Sequence, residues 1–175
     1  MRRGALLLLT TLLAACANAS GSTATSEGAT GPTTTMSLEV NATLVYISDG
    51  DTIGVEVDGT EERVRLIGID TPETKKPNTP VQCFGHEATN FTTSLLPKGT
   101  KLHLERDVEA RDPYGRLLAY VYRSDDGMFV NLQIIGQGYA RPLTIPPNVA
   151  HSNEFVAAAR SAEAGNLGLW AACSG

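Results

Sequence analysis

Three short stretches of the chain carry side chains suited to work on phosphate. Asp49-Gly50-Asp51-Thr52, Asp70-Thr71-Pro72-Glu73 with Arg65 just upstream, and Asp112-Pro113-Tyr114-Gly115-Arg116 supply carboxylates, guanidiniums and one phenol. Each stretch alone has a plain structural reading: a hairpin turn, a strand end stiffened by proline, and a solvated loop. Together they make a parts list for metal-assisted phosphodiester hydrolysis. Asp51 and Asp70 are hard oxygen ligands that, with a backbone carbonyl and waters, suit Ca²⁺ and its ~6–8 oxygen donors. A phosphodiester under attack by water gathers charge on its equatorial oxygens, and the planar forks of Arg65 and Arg116 can each meet two of them. Glu73 is left to orient or deprotonate the attacking water.

Positioning these groups falls to short β-rich runs separated by turn residues. Thr43–Ile47, Thr52–Val57, Glu62–Asp70, Lys101–Glu105 and Leu117–Tyr122 read as five strands. In the third, alternation places Arg63, Arg65, Ile67 and Ile69 on one face and Val64, Leu66 and Gly68 on the other. Helical stretches at Gly85–Leu96, Asn131–Gln137 and Asn153–Ala164 are interleaved. The expected class is therefore α+β, mainly β: a five-stranded OB-fold β-barrel with about three packed helices.

On these motifs the chain resembles the staphylococcal nuclease family. The matching stretches are Asp49–Thr52, Arg65–Glu73, Gly85-His86-Glu87-Ala88, Tyr114–Tyr120 and Val130–Ala140, in the family's order, within a region running from Leu38 to Trp170. The resemblance implies a Ca²⁺-dependent nuclease that cuts the 5′ P–O bond of single-stranded or frayed DNA or RNA and leaves 3′-phosphates. It implies Asp51, Asp70 and the Thr71 carbonyl as calcium ligands, Arg65 and Arg116 as phosphate binders, and Glu73 as the residue acting on water. Tyr114 keeps the hydroxyl of the family's Lys-Tyr pair, but Pro113 replaces the lysine. Where the family's type member sets two tyrosines against the nucleobase, this chain reads Pro142-Leu143-Thr144-Ile145-Pro146-Pro147. Base stacking is worth ~1–3 kcal/mol per base, so weaker substrate binding is expected.

The start of the chain has export anatomy. Met1-Arg2-Arg3 precedes an apolar run from Ala5 to Leu13 and the small residues before Cys16. Leu13-Ala14-Ala15-Cys16 is similar to a bacterial lipobox, which makes residues 1–15 a signal peptide and Cys16 the site of lipidation and membrane anchoring. Residues 16–37, rich in Ser, Thr and Gly, read as a disordered tether, and 38–175 as the nuclease domain. Export to the bacterial envelope or beyond leaves Cys83 and Cys173 as an even pair in an oxidising compartment, where a disulfide is expected. Two reduced thiols, or metal work by Cys83 with His86, are the alternatives; one Cys and one His fall short of a zinc site.

The 175 residues suit one domain, and 42% hydrophobic with 19% charged residues excludes disordered, collagenous and polytopic membrane chains. Net charge is −5, and becomes −7 once Arg2 and Arg3 leave with the leader. The overall field therefore repels nucleic acid, so a local cationic site must overcome it. Two other readings compete: a non-catalytic OB-fold nucleic-acid or ligand binder, and an adhesive surface lipoprotein. Loss of Glu73 or of either arginine would mark the first, and all are present. Monomer is the default oligomeric state.

Overall fold

The computed structural model describes residues 37–75 and 80–173. The leader, the lipobox with Cys16 and almost all of the expected tether lie outside them. Among the described residues no helix is long and apolar enough to cross a membrane.

Five strands close a barrel: β1 (Ala42–Asp49), β2 (Thr52–Val57), β3 (Thr60–Leu66), β6 (Leu117–Arg123) and β5 (Lys101–Glu105), in that order around the wall. This is the expected α+β, mainly β OB-type architecture. A separate two-stranded sheet pairs β4 (Gly68–Asp70) with β7 (Arg141–Leu143). Helices α1 (Gly85–Leu95), α2 (Val130–Gly136), α3 (Ser152–Ala164) and the short α4 (Leu169–Ala172) pack outside. Ile53, Val55, Val64, Leu66, Leu102 and Val121 fill the core without measurable exposure. These are the alternate positions of β2, β3, β5 and β6, as the period of 2 requires.

One expectation needs correction. The run through Asp70 is two strands rather than one, because Gly68 takes φ +83°, a backbone state that suits glycine. Space demands glycine there as well, since a Cβ would lie 2.1 Å from Cε2 of Phe155 on α3. The break ends the alternation, so Ile67 and Ile69 are buried and do not share the face of Arg63 and Arg65. Asn131 on α2 braces the break: its Nδ2 donates to the Ile67 carbonyl (2.9 Å) and its Oδ1 accepts from Val121 N (2.9 Å). β7 and α4 carry too little periodicity to be read from the chain, and both form by docking on other elements.

Cys83 and Cys173 are joined as expected, with S–S 2.00 Å. The bond ties the segment entering α1 to the end of α4. His151 sits 3.0 Å from Glu154, and its ring packs edge-on against Tyr120 at 4.4 Å between centroids.

Candidate active site

The parallel pairing of β3 with β6 decides the site. Val64 pairs with Leu117 and Arg65 with Leu118, so Arg116, immediately before β6, enters at the level of Arg63, and its side chain shares a cleft with that of Arg65 although 51 positions separate the two in sequence. The β1–β2 turn brings Asp49 and Asp51 to the same place, and the end of β4 brings Asp70, Thr71 and Glu73. A cleft of about 320 Å³ is lined by Asp49, Asp51, Asp70, Glu73, Arg65 and Arg116, together with Thr52, Thr71 and Gln82. Every expected catalytic and ligand residue therefore shares one cleft.

The turn that holds Asp51 is locked from two sides. Thr92 of α1, itself buried, donates from Oγ1 to the Gly50 carbonyl (2.6 Å). Gly50 has no room for a side chain, because a Cβ would lie 2.8 Å from the Thr71 side chain. Asp51 Oδ2 accepts from Thr71 N (2.7 Å) and Thr71 Oγ1 (2.9 Å), and lies 3.2 Å from Arg65 Nη2. The same Nη2 reaches Asp70 Oδ1 at 3.1 Å, while Arg65 Nη1 donates to the Leu66 and Ile69 carbonyls (2.6 and 2.8 Å). Arg65 thus bridges the two aspartates.

Arg116 is oriented by Asp112, which the sequence reading left without a role. Asp112 Oδ2 accepts from Arg116 Nε (2.7 Å), and Oδ1 accepts from the backbone N–H groups of Tyr114 and Arg116, both at 2.9 Å. The guanidinium lies 5.6 Å from the Tyr114 ring centroid, and Tyr114 itself is 85% exposed. Burial works to raise the Asp112 carboxyl, but the hydrogen bonds and charge of Arg116 outweigh it and hold the group below its ordinary value.

Glu73 stands on a loop held by Gln82, another residue that sequence reasoning missed. Glu73 N donates to Gln82 Oε1 (2.9 Å) and Gln82 N donates to the Glu73 carbonyl (3.0 Å), while the Glu73 carboxylate accepts from Lys75 N (2.7 Å). Gln82 adjoins Cys83, so the disulfide anchors this brace. Nothing in a lone glutamine announces such a role; only the folded loop brings the two together.

The electrostatics of the cleft are those of crowded acid. Burial, and then the charge of Asp51, pushes the Asp49 carboxyl up to about 6. Asp70 is also raised, by partial burial and by the charge of Asp51, with Arg65 opposing. Among the described residues no three His, Cys, Asp or Glu side chains converge into a ready cation cage. The donors at hand are nevertheless all oxygen: the carboxylates of Asp51 and Asp70 and the main chain at Thr71. That set matches a hard cation such as Ca²⁺ in kind, and a divalent charge would offset the repulsion from Asp51 that adds to burial in raising Asp49 and Asp70.

A second hollow of about 280 Å³ shares Arg65 and Arg116 with the cleft and is otherwise largely apolar, lined by Ile67, Ile69, Leu143, Ile145, Pro113 and Tyr114 among others. Ile145 is 60% exposed at its edge, where no aromatic residue of the 142–147 segment stands.

Residues 63–172 match the family described as staphylococcal nuclease homologue. A thermonuclease of Staphylococcus intermedius is 47% identical over 124 residues, covering 71% of this chain and 72% of the relative. A thermonuclease of Staphylococcus hyicus is 41% identical over 127 residues, 73% of each chain. Endonuclease YncB of Bacillus subtilis is 42% identical over 133 residues, 75% of this chain and 62% of the relative.

Proposed function

The chain belongs to the staphylococcal nuclease family, and from that premise we propose that it is a Ca²⁺-dependent phosphodiesterase, cutting the 5′ P–O bond of single-stranded or frayed DNA and RNA to leave 3′-phosphates. The observation that supports this most is the convergence of Arg65 and Arg116 on the cleft that holds Asp51, Asp70 and Glu73. Two guanidiniums among the four carboxylates of that cleft, Asp49 included, make sense where a phosphate must enter an acidic hollow. The competing non-catalytic reading leaves that arrangement without a purpose.

Asp51, Asp70 and the Thr71 carbonyl would hold the calcium ion, which supplies positive charge for a phosphoryl oxygen and a coordination position for water. The protein's own groups do the rest. Arg65 and Arg116 bind the equatorial oxygens of the scissile phosphate and stabilise the charge that builds on them. Water is oriented by the Glu73 carboxylate, which takes its proton as the water oxygen bonds to phosphorus. The bond from phosphorus to the 5′ oxygen breaks, and that oxygen takes a proton from solvent. Asp112 keeps Arg116 aimed, and Gln82 keeps the Glu73 loop in place. Arg65 must exchange its present bonds to Asp51 and Asp70 for phosphate oxygens, a swap the incoming charges favour.

The apolar hollow beside the arginines is suited to the sugar and base next to the cut. Tyr114 offers a hydroxyl at its rim, and the aliphatic Leu143 and Ile145 provide contact without stacking. Ile145→Tyr should therefore lower KM for single-stranded DNA by about fivefold or more, the lower end of a stacking gain. Export by a lipoprotein signal over residues 1–15, anchoring through Cys16, a tether over 16–37, a nuclease domain over 38–175 and a monomeric state complete the proposal.

The test is digestion of heat-denatured DNA by the purified protein, in calcium against chelator, for the parent and Arg116→Ala. Digestion that requires calcium and falls by about 10²–10³-fold in the variant is expected, as for removal of a charge-stabilising donor. Absence of digestion from a folded, disulfide-intact sample would overturn the reading.

A further inference from the structure

On the outer wall of the barrel, beside the cleft, two β-bulges in β1 turn residues that simple alternation would place differently. Leu44 pairs with Val55, and the next pair is Tyr46 with Gly54, so Val45 is the extra residue. Leu44 and Val55 point into the core, and the bulge delivers Tyr46 to the outside with Gly54. Ile47 then pairs with Ile53 inside, and a second irregularity at Ser48 puts Asp49 outside with Thr52. Across β2, Gly54 pairs with Arg63 and Thr52 with Arg65. The outer face therefore carries two neighbouring rows: Asp49–Thr52–Arg65, which belongs to the cleft, and Tyr46–Gly54–Arg63, one step away.

The second row has the makings of a stacking platform. The Tyr46 ring lies directly over Gly54, where a Cβ would come within 2.2 Å of Tyr46 Cε1, so only glycine lets the ring lie against the strand. Gly54 is buried under it while Tyr46 stays 38% exposed. Arg63 is exposed, and among the described residues no carboxylate pairs with it, unlike Arg65, Arg111, Arg116 and Arg123. It stands two residues before Arg65 on the same face of β3, roughly 6.6 Å along the strand. In the next row Glu56 faces Glu61, both exposed, which repels phosphate and limits the platform to a single nucleotide.

We propose that Tyr46 and Arg63 form a subsite for one nucleotide of a single-stranded polynucleotide, its base stacked on the Tyr46 ring and its phosphate held by Arg63, next to the phosphate bound at Arg65. The ligand class rests on the nuclease reading, and continuity with the cleft selects this occupant. Ring stacking does not depend on base identity, so the subsite adds affinity and favours unpaired strands without reading sequence.

Binding decides it. The full chain carrying Glu73→Gln is titrated with a fluorescent oligothymidylate, and anisotropy is read over a series of potassium chloride concentrations. Tyr46→Leu, which still covers Gly54, is expected to raise Kd about fivefold or more with an unchanged salt slope, and Tyr46→Phe to stay within about twofold of its parent. Arg63→Gln is expected to raise Kd and remove about 0.7 from the slope of log affinity against log salt, the loss of one single-strand phosphate contact. Equal Kd for the Leu and Phe variants, or an undiminished slope for Arg63→Gln, would overturn the subsite. A chain with Glu73 intact that cuts nothing, yet whose binding responds to both residues, would sink the nuclease reading and leave the subsite standing.

Discussion

Asp49 and Asp70 line the acidic cleft, and Asp107 and Asp112 lie in the segment between β5 and β6, yet the fold treats the two pairs in opposite ways. Among the described residues, Asp49 accepts one long bond, from Asp51 N at 3.3 Å, and Asp70 only the shared guanidinium of Arg65. Asp107 by contrast accepts from Val108 N (2.9 Å), Tyr120 Oη (2.9 Å) and Ala150 N (3.0 Å), and Asp112 from three donors of its own loop. The cleft carboxyls are pushed up, and the braced ones are held down: Asp107 chiefly by the Ala150 amide and then by Tyr120. A protein that only had to be stable would brace all four. Carboxylates left short of donors and pressed against each other cost stability, a cost that the proposed cation would offset.

The sharpest way to break this contrast is Asp70→Asn. Activity should fall by about 10²-fold or more, while the melting temperature in chelator holds or rises because a carboxylate raised by burial and by the charge of Asp51 is gone. A large loss of stability with modest loss of activity would show Asp70 to be a structural carboxylate after all. Next in size is the disulfide. Cys83→Ser with Cys173→Ser should cost about 2–4 kcal/mol in urea denaturation, since the bond closes a loop with a sequence separation of 90. The loss should be accompanied by a fall in kcat because the Gln82 brace of Glu73 is loosened. An unchanged kcat would confine the bond to stability.

Asp107→Asn tests the braced set. One or two hydrogen bonds to a carboxylate are weakened, so about 1–2 kcal/mol of stability should go while nuclease activity at room temperature stays. The pH dependence has a definite sign. Asp107 and Asp112 titrate below their unfolded values near 3.8, so their contribution is complete above that pH and is lost as acid carries the protein through the depressed folded values. Unfolding monitored by circular dichroism should therefore show stability dropping below about pH 4, with a shallower drop for Asp107→Asn. The smallest effect belongs to Asp49→Asn, which removes a raised carboxylate. It should stabilise the calcium-free protein at neutral pH by on the order of 1 kcal/mol, a rise of a few degrees, and this gain should shrink in calcium. A lower melting temperature would mean that Asp49 is a brace for its turn.

Much was readable in the residues themselves. The period of 2 in β2, β5 and β6 follows from which side chains must leave water, and the motifs around Asp51, Arg65, Asp70, Glu73 and Arg116 announced phosphate chemistry by residue type. The even pair Cys83 and Cys173 announced its bond by compartment and count. These are local or compositional properties, and a chain displays them before it folds. The tertiary structure decided what depends on distant partners. It split the third strand at Gly68, because Phe155 from α3 occupies the space a side chain would need. It made β7 and α4 by docking, since neither has the length or period to form alone. It chose Gln82 and Asp112 as the supports of Glu73 and Arg116, and bulged β1 so that Tyr46 faces out beside Arg63. The parallel register of β3 on β6, which no local pattern encodes, turned five scattered charged residues into one cleft.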